Sequence, residues 1–143
     1  LLTLRANQSR CILRKPFTFV TVPMKVLIVE SEPALGCLWQ RHMQRQGLEV
    51  QLETEQTGAI AALEIHSFDV IVLDLILKTG SAFAIADLVS YRYPDTQVIF
   101  VTNTSFFSDG SIFALSANAC AYLQSDTPPE DLTALVEHYG NSV

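Results

Sequence analysis

Phe68-Asp69-Val70-Ile71-Val72-Leu73-Asp74-Leu75 decides how this chain reads. Four β-branched or aliphatic residues run without a polar break between two acids. A strand that is apolar at every position is buried on both faces, as in the middle of a parallel sheet covered by helices. Asp74 closes the run and is followed by Leu75-Ile76-Leu77. A carboxylate in such surroundings loses its water and needs a cation or hydrogen-bond donors in exchange. Buried acids of this kind mark functional sites, so Asp74 is the first candidate site residue.

Outward from this stretch, two periods alternate. Short apolar runs appear at 25–29, 48–52, 69–73, 97–101 and 120–123. Helical spacing fills the intervals. Residues 33–46 place Leu35, Leu38, Trp39 and Met43 on one stripe, 56–66 carry Ile60 and Leu63, and 82–91 carry Phe83, Ala86 and Val89. Residues 109–117 carry Ile112, Phe113 and Leu115. Residues 129–139 give the cleanest case, with Leu132, Leu135, Val136 and Tyr139 at i, i+3, i+4 and i+7. Pro33, Pro94 and Pro128-Pro129 fall at element borders, where a missing N–H does least harm. The spacing predicts β-α repeated five times, an α/β fold with a parallel sheet between helices.

The bulk numbers agree. With 143 residues, 49% hydrophobic and 17% charged, the chain suits one domain with a real core. Its apolar runs, such as Val26–Val29, fall far short of the roughly 20 residues that span a bilayer. Three scattered cysteines, Cys11, Cys37 and Cys120, suggest neither a disulfide framework nor a zinc site. Arg5, Arg10, Arg14 and Lys15 precede Met24, and all 15 acids follow it, leaving that part with a net charge of −10. Such a surface repels nucleic acid phosphates, so direct nucleic-acid binding is not expected. Residues 1–23 lack acids and any hydrophobic period, and read as an N-terminal extension, poorly ordered or not native, ahead of a domain over 24–143. His42, His66 and His138 are too widely spaced for a metal set and read as helix-surface residues. Phe106 and Phe107 follow strand four in a loop and read as packing residues or part of a partner surface.

In open α/β sheets, ligands bind beyond the carboxyl ends of the strands. The residues found there are Glu30-Ser31-Glu32 after strand one, Asp74 after strand three, Thr102-Asn103-Thr104 after strand four and Gln124-Ser125-Asp126 after strand five. Together they predict a polar, mostly acidic pocket.

These segments resemble the receiver domains of two-component response regulators. Val26–Pro33 is similar to the first strand and acidic turn of that family, and Phe68–Leu75 looks like its phosphoacceptor strand. Val98–Thr102 resembles the strand ending in the switch hydroxyl, Asn118–Leu123 the segment with the switch aromatic, and Pro128–Leu132 the start of the last helix. The likeness covers residues 24–139. It implies a flavodoxin-like, doubly wound five-stranded sheet of order 2-1-3-4-5. It implies a phosphorelay function with Asp74 as phosphoacceptor, Thr102 as switch hydroxyl and Tyr122 as switch aromatic. Mg²⁺ would be held weakly by Glu30, Asp74 and the backbone carbonyl of Ile76. Expected partners are a histidine kinase or phosphotransfer protein, a downstream protein target, and a second copy docking through the last two helices and strand five, near Phe113, Tyr122 and Leu123. The location would be cytoplasmic, and the only chemistry would be self-phosphorylation of Asp74 from a phosphohistidine.

The chain departs from the family pattern at two helpers. Ser31 stands where the second acid of the pair contacts the metal, and Ser125 stands where a lysine meets the phosphoryl group. Lys78, four residues after Asp74, is a candidate compensating charge. Asn118 replaces the family's usual glycine, a mild change because Asn tolerates the left-handed conformation. The alternative reading is a pseudo-receiver, a protein-interaction module of the same fold that does not switch by phosphorylation. Aspartate-nucleophile phosphatases need a second acid two residues on, where this chain has Ile76. A nucleotide or flavin module needs a Gly- or Thr-rich phosphate loop after strand one, where this chain has Glu30-Ser31-Glu32-Pro33.

Overall fold

The computed structural model of the chain describes residues 22–103 and 118–141. The helix expected over 109–117, with Phe113, lies outside them, as do Phe106, Phe107 and nearly all of the 1–23 extension. Along the described chain the elements are β1 (Lys25–Val29), α1 (Pro33–Arg45), β2 (Glu49–Glu53), α2 (Gln56–Ile65), β3 (Val70–Asp74), α3 (Ala82–Arg92), β4 (Gln97–Thr102), β5 (Ala119–Gln124) and α4 (Pro129–Gly140). The five strands form one sheet in the order β2-β1-β3-β4-β5, and every neighbouring pair is parallel. This is the flavodoxin-like, doubly wound order expected from the sequence.

Period-two alternation divides the sheet between two cores. Val26, Ile28, Val70, Val72, Ile99 and Val101 pack against Trp39 and Met43 of α1 and Leu132 and Val136 of α4. Leu27, Val29, Ile71, Leu73, Val98 and Phe100 pack against Ala59, Ala62 and Leu63 of α2 and Ile85, Ala86 and Val89 of α3. Each such aliphatic side chain, fully withdrawn from water, contributes about 1.5–3 kcal/mol. Both faces are used, which is why β1, β3 and β4 read as unbroken apolar runs.

Local chemistry sets the helix ends. Pro33 begins α1, where its missing N–H is no loss. Gly47, at φ +91, ends it. The Gly47 N–H donates to the Gln44 carbonyl and the Leu48 N–H to the Met43 carbonyl, a Schellman closure with Leu48 buried beside Met43. The Ser81 hydroxyl caps α3 by accepting the Ala84 N–H at 3.3 Å. Glu130 and Asp131 lie in the first turn of α4, where the helix dipole favours negative charge.

Two expectations change. Leu38 is 50% exposed, and the inward face of α1 is carried by Gly36, Trp39 and Met43. Gly36 lies so near β2 that a Cβ there would meet a Leu52 methyl at 2.7 Å. His42 is half-buried rather than a surface residue, and its Nδ1 lies 2.9 Å from the Thr133 hydroxyl on α4. That hydroxyl also lies 2.8 Å from the Pro129 carbonyl, so Thr133 links His42 of α1 to the first turn of α4.

Candidate functional site

The carboxyl ends of β1, β3, β4 and β5 lie side by side because the ladders run on past the strands. The Glu30 N–H donates to the Glu53 carbonyl, the Leu75 N–H to Val101 and the Ser125 N–H to Thr102. Main chain, not flexible loop, therefore sets where Glu30, Asp74, Thr102 and Ser125 stand. The first three are buried and Ser125 is half-buried.

Glu30 is 2% exposed. One of its oxygens, Oε2, accepts the Glu32 N–H at 3.0 Å, and the other, Oε1, is buried without a protein partner. The Asp74 carboxyl lies close enough to act on its charge. Burial pushes the Glu30 carboxyl up to about 7, and the charges of Asp74 and Glu32 add to the effect, while the bond from the Glu32 N–H opposes it. Asp74 accepts the Ile76 N–H on Oδ1 at 3.1 Å, which folds the chain back over it.

Ser31 does not face this pair as a free hydroxyl. Its Oγ accepts the Lys78 N–H at 3.0 Å and so ties the β1–α1 turn to the β3–α3 loop. The Lys78 ammonium lies 2.9 Å from Glu32 Oε2, with both side chains well exposed. That bond, and then the Glu32 charge, raise the Lys78 pKa, with a smaller contribution from Glu30. Sequence reasoning missed Gln56. Its Oε1 accepts the Ser81 N–H at 2.8 Å and fixes the far end of the same loop. No local pattern signals that contact.

Thr102 is fully buried at the end of β4, next to Asp74 in the sheet. Tyr122 is half-buried and packs on the α2–α3 core. A register shift between Val98 and Ile99 puts it there: Cys120 and Ala121 both turn to the α1–α4 side, and alternation resumes at Tyr122. Asn118 is buried, and its amide nitrogen reaches the carbonyls of Tyr93 at 3.0 Å and Thr96 at 2.9 Å. Its amide ties the α3–β4 connection to the start of β5.

The donors suit a hard divalent cation. Two carboxylates, a peptide oxygen and water are a normal set for Mg²⁺, and Glu30 Oε1 is buried without another use. Among the described residues no three His, Cys, Asp or Glu side chains converge into a fuller set. Glu32 is committed to Lys78, so the set is thin. No helix among the described residues is long and apolar enough to cross a membrane.

A family model described as the response regulator receiver domain matches residues 26–137. The response regulator protein PilR of Pseudomonas aeruginosa is 31% identical over 113 residues, which are 79% of this chain and 24% of that protein. The transcriptional regulatory protein TrcR of Mycobacterium tuberculosis is 29% identical over 78% of this chain, but the match spans only 43% of that protein. The chain thus covers less than half the length of these curated relatives. Among solved structures, a CheY-like receiver domain from Methanospirillum hungatei superposes with a TM-score of 0.76 at 22% identity, covering 84% of this chain and 95% of that one.

Proposed function

The chain belongs to the receiver domain family of response regulators, and on that premise we propose that it works in a phosphorelay, with Asp74 as the residue that takes the phosphoryl group. The carrying observation is the Glu30–Asp74 pair: two desolvated carboxyls at the carboxyl end of the sheet, one with an unused oxygen. In the transfer, the P–N bond of a phosphohistidine breaks and a P–O bond to an Asp74 oxygen forms. The departing electron pair stays on the imidazole nitrogen. Mg²⁺ would be held by Glu30, Asp74 and the Ile76 carbonyl, and its charge would offset the crowding of anionic oxygens. Loss of a carboxylate at Ser31 makes that binding weak.

Thr102 and Tyr122 are the proposed switch pair. Support comes from the burial of Thr102 beside Asp74 and the half-buried seat of Tyr122 on the same sheet. Ser125 lies beside Thr102 but brings no cation. The proposed partners are a histidine kinase or phosphotransfer protein, a downstream protein, and a second copy docking through strand five and the last two helices. The setting is the cytoplasm. The net charge of −10 from Met24 onward disfavours direct nucleic-acid contact.

A second reading, the pseudo-receiver, draws on Ser31. Its hydroxyl is engaged by the Lys78 N–H, as suits a static loop contact. Intact mass after incubation with acetyl phosphate and Mg²⁺ separates the two. A slow gain of one phosphoryl group, absent in Asp74→Asn, supports the phosphorelay reading. No gain after prolonged incubation gives the interaction module.

A further inference from the structure

The loop from Leu75 to Ser81 is held by side chains of two other elements. Ser31 Oγ takes the Lys78 N–H and Gln56 Oε1 takes the Ser81 N–H, at 3.0 and 2.8 Å. Both bonds act on main chain. They fix where Lys78 leaves the loop and leave its side chain, 67% exposed, free to change rotamer. The result is a cation with a fixed root and a movable tip. That tip rests on Glu32 and also feels the Glu30 carboxyl, which borders Asp74.

No other base beyond Met24 is placed like this. Lys25 opens β1 at the opposite end of the sheet, Arg41 and Arg45 lie in the second half of α1, and Arg92 ends α3. An exposed ion pair such as Lys78–Glu32 is weak and easily exchanged. A phosphoryl group carries nearly twice the charge of a carboxylate, so it would outcompete Glu32 for an ammonium that could swing from one to the other.

We propose that Lys78 is the cation that engages a phosphoryl group on Asp74, that Glu32 holds it when no such group is there, and that Ser31 is the positioning residue for its root. The proposal rests on the reading of Asp74 as phosphoacceptor. It replaces the missing lysine after β5 with one from the β3–α3 loop. It also gives the site a regulatory consequence: phosphorylation would release Glu32 as an unpaired charge at the rim, on the turn that leads into α1.

Fluoroberyllate with Mg²⁺, titrated into the full chain and followed by calorimetry or fluorine NMR, tests this without turnover. Lys78→Met should weaken fluoroberyllate binding about tenfold, and Lys78→Arg should recover most of it. Mg²⁺ binding without fluoroberyllate should not weaken in Lys78→Met, because the change removes a like charge. Glu32→Gln should tighten fluoroberyllate binding severalfold, and that gain should vanish when Lys78→Met is added. Ser31→Ala should weaken it, and Ser31→Thr, which keeps the hydroxyl, should restore it. If the unmodified chain binds fluoroberyllate and Lys78→Met binds it equally well, the role of Lys78 is wrong while Asp74 stands. If the Glu32→Gln gain persists without Lys78, the holding role of Glu32 is wrong. If the unmodified chain binds none, the Asp74 reading fails, and this one with it.

Discussion

Glu30 and Asp74 stand at one level of neighbouring parallel strands, a single step beyond the paired Val29 and Leu73, and the Asp74 charge acts on the Glu30 carboxyl. The pair is costly when both groups are charged. Burial first, then Asp74, lifts Glu30 from its ordinary 4.5 to about 7. Between those values the native chain keeps a proton that the unfolded chain has lost. Stability therefore falls as pH rises through that window. In EDTA, Glu30→Gln should match the unmodified protein near pH 4.5 and exceed it near pH 8 by about 1–3 kcal/mol. Thermal midpoints across this range provide the check, and parallel pH profiles for the two proteins would refute the assignment.

Metal and phosphodonor chemistry should improve when the two serines are restored to the family pattern. Ser31→Asp adds a carboxylate beside Glu30 and should tighten Mg²⁺ binding roughly tenfold. Ser125→Lys places a cation beside Thr102, whose carbonyl already accepts the residue 125 N–H at 2.8 Å. It should speed phosphorylation by acetyl phosphate, read by intact mass. Tight Mg²⁺ binding and fast phosphorylation of the unmodified chain would contradict the weak site proposed here.

Asn118→Ala should destabilise the fold by about 1–3 kcal/mol, because the Tyr93 and Thr96 carbonyls lose their donor in a buried place. Urea unfolding measures this, with the single tryptophan, Trp39, as a reporter of burial. An unchanged midpoint would mean that these carbonyls find other donors.

Two glycine substitutions should differ in a telling way. Gly47 and Gly80 both have positive φ, so alanine at either costs about 1 kcal/mol in backbone strain. At Gly47 nothing lies within 4 Å of a new Cβ, whereas at Gly80 the Cβ would overlap the Gln56 side chain. Gly80→Ala should therefore be the more damaging and should also speed hydrogen exchange at the Ser81 N–H, which Gln56 protects. Equal effects at the two positions would remove Gln56 from the account of the loop.

Much of this was legible in the sequence. Short apolar runs located all five strands to within about one residue, and acids at the ends of β1 and β3 marked the candidate site. The exceptions have physical reasons. Gly36 faces β2 where Leu38 was expected, because a close helix–strand approach needs the smallest residue and leaves no hydrophobic signal. The shift at Cys120 breaks strict alternation without a proline or glycine to announce it. The contacts Ser31–Lys78 and Gln56–Ser81 join positions 47 and 25 residues apart, and no period encodes them. His42 reads as surface until α4 arrives beside it with Thr133.

The place of β1 between β2 and β3 also bears on how the chain comes to be folded. Val26 pairs with Val50 on one side and with Val70 on the other. The second pairing must close a loop of about 44 residues, the separation that also divides the bonded Lys25 and Asp69. On a ribosome, β1 emerges first and meets β2 early, yet keeps one bare edge until β3 follows. Val26–Val29, with no exposed surface in the finished protein, are then open to pairing with other chains. Non-local parallel pairing of this kind is slow. The arrival of β3 covers that edge of β1 and, in the same event, brings Asp74 to Glu30, so the shielding of β1 and the assembly of the acidic pair are one step.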